Sequence, residues 1–446
     1  MLAPTIFDLL LPLAYLTVFY ALSRWLSRHF IRRDQQFFRW GFVAKMLGSA
    51  AFMAVYLLHF REGDTFFYYQ GADKLWELLV TRPVDGLTLL TLSDGQHNLA
   101  FAEVTQSIKY FEAPAEWSFT RIAGLVNLFC FNNFFCLSFC FGYVAFLGTW
   151  ALFRVFSNNY PAAKTSLFVA IFLIPSALLW TSGLLKDTLC MGMIGFVFQA
   201  AYRLLDGRRV WRQVAILALG FSVLAIIKPY LAYSFLIAVL PWAYLKLLHR
   251  PMKVVLKRSL HLLAVSVLLL LTVNLFGIIQ TLEEGNSFQL AMARIQGYHH
   301  EFEINRDKDD SRYSLGAIDY SVSGLLEKAP AAMVTTLVRP FLWEPGKLLV
   351  KLMSLENLIY FLALVGVVVQ REFWRAPWRL LQNEDVLFCL LFVLSLSLVV
   401  GITAYNYGLL MRLKAPLLPF LGAGLVIVFQ QIHRERSPAL ATSAAM

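Results

Sequence analysis

The sequence predicts an all-α, polytopic integral membrane protein. It should have about eleven transmembrane helices and an amphipathic juxtamembrane helix after the second span. Three observations carry this. The 446 residues are 59% hydrophobic and only 15% charged, a composition that water-soluble domains do not tolerate. The apolar residues gather into runs of bilayer-spanning length. The basic residues fall between those runs in alternate loops.

The apolar runs are 5–24, 41–60, 133–154, 165–181, 187–204, 211–227, 229–246, 260–279, 353–370, 385–402 and 407–429. Several are near the short limit for a spanning helix. The first has neither a basic leader nor a small-residue cleavage site, so it reads as a retained helix. Lys and Arg cluster at 24–45 (Lys45 included), 154–164, 203–212, 246–258, 371–379 and 434–436. With eleven spans these segments share one side, which carries a net +16 against −5 for the remainder, together the chain's +11. The positive-inside bias makes that side the cytoplasm. The expected orientation is an N-terminus outside and a C-terminal tail inside. The basicity is then a topology signal, which removes nucleic acid as a partner.

Residues 1–436 read as a single transmembrane domain with two outer segments, 61–132 and 280–352, and 437–446 as a disordered cytoplasmic tail. Within the first outer segment, Arg61–Leu79 has helical periodicity. Tyr69, Ala72, Leu75, Trp76 and Leu79 recur on one face, with Gln70, Asp73, Lys74 and Glu77 between them. Such a helix suits the membrane interface. It opens on Glu62 and Asp64, and Gly63-Asp64-Thr65 also fits a helix N-cap. A short apolar piece at 121–132 is a candidate re-entrant segment. Tyr68, Tyr69, Trp117, Trp180 and Trp343 read as interfacial anchors.

The chemistry-bearing residues crowd the outer ends of the spans. Lys186 and Asp187 join spans four and five, and Lys228 joins six and seven. Arg339 and Glu344 precede span nine, while Arg412 and Lys414 enter the last. Ionisable groups at membrane depth pair with one another or meet a charged ligand. Lys186 with Asp187 is a candidate structural pair, and Arg412 a candidate for snorkelling. Taken together, Lys186, Lys228, Arg339, Arg412 and Lys414 beside an acid suit a lipid-linked phosphate or diphosphate. Asp64 is the candidate catalytic base and Glu62 a supporting acid. Asp187, Glu344 and Tyr69 are assigned structural or orienting roles. The chain has no P-loop, dinucleotide fingerprint or CxxC pair among its five cysteines.

The loop Gly63-Asp64-Thr65-Phe66-Phe67-Tyr68-Tyr69-Gln70-Gly71-Ala72 resembles the first outer loop of the membrane-embedded GT-C glycosyltransferases. That resemblance implies Asp64 as catalytic residue, a polyprenyl-phosphate sugar as donor and a glycan or lipid as acceptor. Many members carry two adjacent acids, whereas Thr65 follows Asp64 here. Pro175–Asp187, Arg339–Glu344 and Asn406–Arg412 are similar to segments of bacterial envelope-polysaccharide proteins, including O-antigen and exopolysaccharide polymerases. That likeness implies Arg339 and Arg412 as diphosphate ligands. The expected function is therefore glycosyl transfer from a lipid-linked donor, with a polymerase or ligase as the alternative. A lipid-linked glycan transporter or an assembly protein represents other classes. No cofactor is required. A divalent cation on Asp64 and Glu62 is the candidate exception, and His299-His300-Glu301 is a weaker metal cluster.

Overall fold

The computed structural model describes residues 6–92, 101–251, 313–344, 348–375 and 377–436, together with scattered positions between 258 and 300. All regular structure among the described residues is helical. Among the described residues, seven helices are long and apolar enough to cross a membrane, or eight if one bent pair counts as a span. The protein is thus a multi-pass helical membrane protein. It divides into two compact units, Met1–Phe235 and Leu236–Met446.

The first unit contains α1 (Ile6–Leu26), α2 (Arg32–Val55), α3 (Asp64–Thr81), α4 (Pro83–Thr91), α5 (Ala102–Ser107), α6 (Pro114–Asn127), α7 (Phe134–Asn159), α8 (Lys164–Phe172), α9 (Pro175–Trp180), α10 (Lys186–Leu205) and α11 (Val210–Ile227). The boundary between the units falls within α12 (Pro229–Leu248). Helix α7 is the axis of this unit, packed between α2 and α10. Its N-cap Asn133 accepts from the Cys136 N–H at 3.0 Å, satisfying a donor the first turn leaves open. Small residues let α7 and α10 approach closely. A Cβ built on Gly148 would lie 2.1 Å from the Gly192 carbonyl oxygen, the small-residue contact typical of membrane helices. On the α2 side, Phe38, Phe146, Trp150, Phe153, Phe168 and Phe172 form a connected ring cluster.

The run 165–181 is not one span but two short helices, α8 and α9. Pro175 begins α9 and holds Ile174 in extended backbone, because a residue before proline is pushed out of the α region. Lys45, grouped with the basic loop residues by the sequence reading, is instead buried. Its ammonium donates to the Thr181 carbonyl at 2.9 Å and to Thr181 Oγ1 at 2.7 Å. Ser49 Oγ donates to the Ser182 carbonyl at 2.6 Å. Side chains of α2 thereby supply partners to the non-helical backbone between α9 and α10, which the hydrocarbon layer cannot.

Helices α3, α4 and α6 form a separate layer. Tyr68, Ala72, Leu75 and Leu78 are buried, a helical stripe that keeps Ala72 and Leu75 of the expected face but takes Tyr68 and Leu78 in place of Tyr69 and Leu79. Leu75 and Leu78 meet Leu89, Ile108, Phe111 and Trp117 in one core. Each fully buried Leu or Phe contributes about 1.5–3 kcal/mol, so α3 is held by protein rather than by lipid alone. The piece at 121–132 belongs to α6 and its terminal turn. Tyr68, Trp117 and Trp180 are core residues rather than interfacial anchors, whereas Trp343 in the second unit is 80% exposed.

The second unit contains α13 (Val322–Val338), α14 (Leu348–Val368), α15 (Arg371–Arg375), α16 (Pro377–Leu381), α17 (Glu384–Thr403), α18 (Tyr407–Leu413) and α19 (Leu418–Arg436). Helix α13 packs on α17, where Gly401 lies against the Ala332 carbonyl and Thr336 Oγ1 donates to the Ser397 carbonyl at 2.8 Å. Phe388, Phe392 and Phe420 join α17 to α19. The run 407–429 is bent by 65° between α18 and α19, a break that Pro416 imposes. The run 260–279 lies outside the described residues.

Replacing Gly148 with Leu forces α7 and α10 apart. The expected result is a loss of about 1–3 kcal/mol or more, read as a lower thermal midpoint in detergent, with Gly297→Ala as the control at a helical position with open space around it.

Candidate functional site

The chain leaves α2 through a π-helical turn, Tyr56–Phe60, and reverses at Arg61 (φ 58) and Gly63 (φ 127). The second angle suits glycine alone. Gly63 occupies the N-cap position, so Asp64 is the first helical residue rather than the cap. A carboxylate is favoured there by the helix dipole. Asp64 Oδ1 accepts from the Tyr110 hydroxyl at 2.6 Å. Tyr110 in turn meets the rings of Phe67 and Tyr68, with centroids 5.7 and 5.2 Å away. The Lys109 ammonium stands 3.6 Å from the Phe67 ring centroid, a cation–π contact. Asp64 is half-buried and Glu62 is exposed. Tyr69 faces a different neighbour: its hydroxyl donates to the Asn132 carbonyl at 2.7 Å. Asn132 also binds Asp73 at 2.5 Å and Asn127 at 2.8 Å. Tyr69 is therefore a strut between α3 and the α6–α7 turn.

Lys186 and Asp187 begin α10 but do not pair with each other. Lys186 is bound to Glu116 at the start of α6, and Asp187 to Lys228 at the corner between α11 and α12. The second pair is almost wholly enclosed, with side-chain exposures of 6% for Lys228 and 0% for Asp187. Pro229 keeps Lys228 out of helical backbone, which turns the ammonium toward α10. The Lys228 ammonium also lies 5.6 Å from the Tyr230 ring centroid.

The second unit has its own cluster. Arg339 Nε donates to Glu344 Oε1 at 2.8 Å, and the Phe341 N–H donates to Glu344 Oε2 at 2.8 Å. The guanidinium sits 5.7 Å from the Tyr313 ring and 5.5 Å from the Tyr407 ring. Burial works to raise the Glu344 carboxyl. The Arg339 and Phe341 hydrogen bonds outweigh it and hold the group below its ordinary value of 4.5. Lys414 is buried and bonds to Asn357 Oδ1 at 2.5 Å and to the Thr336 and Arg339 carbonyls at 3.3 Å each. Asn357 Nδ2 donates to the Arg339 carbonyl at 2.7 Å. Arg412 lies half-buried in the last turn of α18. A cavity of about 980 Å³ is lined by His299, His300, Tyr313, Ser314, Tyr320 and Tyr405, among others. Tyr313, which stacks on Tyr407, is thus shared by the cavity and the Arg339 cation–π contact.

The structure assigns neighbours that sequence reasoning missed: Tyr110 and Lys109 beside Asp64, Glu116 beside Lys186, and Tyr313 beside Arg339. Only the aromatic and charged character of Lys109-Tyr110 offered a signal, since its distance of 46 residues from Asp64 is set by tertiary packing. Among the described residues, no three His, Cys, Asp or Glu side chains come together as metal ligands. His299 Nδ1 is engaged with the Tyr320 hydroxyl at 3.0 Å, and Glu301 lies outside the described residues. No protein-family model, curated protein or solved structure matches the chain.

Replacing Lys228 with Met strands the enclosed Asp187 carboxylate and should cost about 3–5 kcal/mol. Lys228→Met with Asp187→Leu should recover most of that loss, read as thermal midpoints in one detergent. At Glu344 the folded-state value is depressed, so its stabilisation is present above the ordinary glutamate range and is lost as the pH falls through it. The midpoint difference between wild type and Glu344→Gln should therefore be largest near neutral pH and vanish in acid.

Proposed function

We propose that the protein is a membrane glycosyltransferase. It moves a sugar from a polyprenyl-phosphate donor to a glycan or lipid acceptor on the extracytoplasmic side of the bacterial inner membrane. The reading rests on one observation above the others: the Asp64 carboxylate opens a juxtamembrane helix and is fixed by Tyr110. Its surroundings support the assignment. Phe67, Tyr68 and Tyr110 give it an aromatic wall, and exposed Lys109 places an ammonium beside that wall.

In the proposed reaction, Asp64 takes the proton from an acceptor hydroxyl. The resulting oxygen attacks the anomeric carbon of the donor, and the bond from that carbon to the lipid phosphate breaks. The phosphate leaves as an anion, stabilised by nearby cations. Lys109 is the exposed candidate for that role. Lys186 takes part by exchanging Glu116 for the lipid phosphate. Lys228 is committed to Asp187 and orients α10. Glu62, exposed at the same turn, has at most a supporting role, and a divalent cation there is not needed for this chemistry.

A second reading is favoured by the other unit. Arg339, held beside the stacked Tyr313–Tyr407 ring pair and a cavity of about 980 Å³, suits a diphosphate-linked repeat unit and so a polymerase or ligase. In this reading Arg339 and Arg412 hold the diphosphate. Lys414, bound to carbonyls and Asn357, keeps the end of α13 in place.

The test is mass spectrometry of lipid-linked and surface glycans from a deletion strain complemented with wild type or Asp64→Asn. The expected result is a glycan lacking one sugar, restored by wild type and not by the variant, with transfer reduced about 10²–10⁴-fold. Accumulated single repeat units rescued equally by both versions would establish the polymerase instead. An unchanged glycan profile would leave a transporter or assembly protein.

A further inference from the structure

The end of α10 opposite Lys186 carries a second cluster of charge, which the sequence reading treated only as a topology signal. A small cavity of about 100 Å³ lies there, lined by Arg154, Asn158, Tyr202, Arg203, Asp206 and Arg208. Three arginine side chains therefore line one partly open cavity. Arg209 and Arg212 lie close enough to repel Arg203 as well.

The acids nearby do not balance them. Asp34 is held by Lys164 at 2.5 Å and reaches Arg154 only at 3.8 Å. Asp206 is the single carboxylate in the lining. The backbone is shaped to keep the cluster together. After α10 the chain turns through Gly207 (φ 68) and Arg209 (φ 48), and the Arg208 N–H folds back onto the Arg203 carbonyl at 3.0 Å. A non-glycine residue in the left-handed region is uncommon. The walls are also fixed: Tyr202 donates to Asn159 Oδ1 at 2.8 Å, and Gln199 donates to the Ala151 carbonyl at 3.2 Å.

Capping of the α7 and α10 C-termini accounts for one or two basic residues, but not for three around a cavity with two more close by. Like charges gathered at short range and partly withdrawn from water repel strongly unless an anion joins them. We infer that this cavity is a binding site for a single phosphate group. Arg154, Arg203 and Arg208 would grip the oxygens in the forked geometry guanidinium offers, with Asn158 as a neutral partner. Two sources share this chemistry: the headgroup of an anionic lipid at the membrane surface, and free phosphate in solution. The site is independent of the Asp64 reading.

The test uses the full-length protein in detergent, titrated with phosphatidylglycerol, phosphatidylcholine or inorganic phosphate, with the tryptophan-fluorescence unfolding midpoint as readout. Phosphatidylglycerol should raise the midpoint where phosphatidylcholine does not. Arg203→Gln with Arg208→Gln should weaken that response at least tenfold, while Arg371→Gln with Arg375→Gln, an equal loss of charge in the other unit, should preserve it. Arg203→Lys with Arg208→Lys keeps the charge without the fork and should give an intermediate response, which covers the case in which the Gln variant does not fold. A midpoint raised by inorganic phosphate alone supports the site and makes its ligand a soluble anion. No rise with either anion overturns the inference, as does an equal response from the Arg203/Arg208 and Arg371/Arg375 variants.

Discussion

Two buried ammonium groups hold the carbonyls that broken helices leave open, and much of the architecture depends on them. Lys45 reaches across from α2 to Thr181, where α9 ends. Lys414 reaches from the α18–α19 bend to Thr336 and Arg339, where α13 ends. A peptide group inside a bilayer must find its partner within the protein. A lysine at a helix end meets that need with several donors. The breaks are therefore stable corners, and the charges at these corners are part of the fold.

This separates cations that build the protein from cations available to a ligand. Lys228, Lys414 and Lys45 are enclosed and satisfied. Lys186 and Arg339 are paired with acids but retain some exposure, so a phosphate can compete for them. Lys109 is exposed beside Tyr110 and the Asp64 turn. The candidate chemistry in the first unit thus rests on Asp64, Tyr110, Lys109 and Lys186.

The apolar runs were legible because a bilayer demands them: α7, α10, α11, α12, α14 and α17 begin and end within a few residues of their expected limits. Breaks were less legible. Pro175 and Pro416 were visible, yet proline in a membrane helix can kink, break or be absorbed, and the neighbouring helices decide which. The face of α3 was displaced because its partners are α4 and α6 rather than the interface. Asp64 stood out by its place after a span, but Tyr110 did not, since nothing local marks a partner brought in by tertiary packing. For the same reason the adjacent charges Lys186 and Asp187 suggested each other, and the fold gave each a distant partner.

Transfer from an outward-facing lipid-linked sugar requires the Asp64 turn to face the outside of the cell and the Arg203–Arg208 end to face the cytoplasm. Labelling of intact cells with a membrane-impermeant thiol reagent, using Glu62→Cys and Arg208→Cys in separate strains, reads this orientation. Glu62→Cys should be labelled in intact cells and Arg208→Cys only after the membrane is permeabilised. The reverse pattern would put Asp64 on the cytoplasmic side and contradict transfer from an outward-facing lipid-linked sugar.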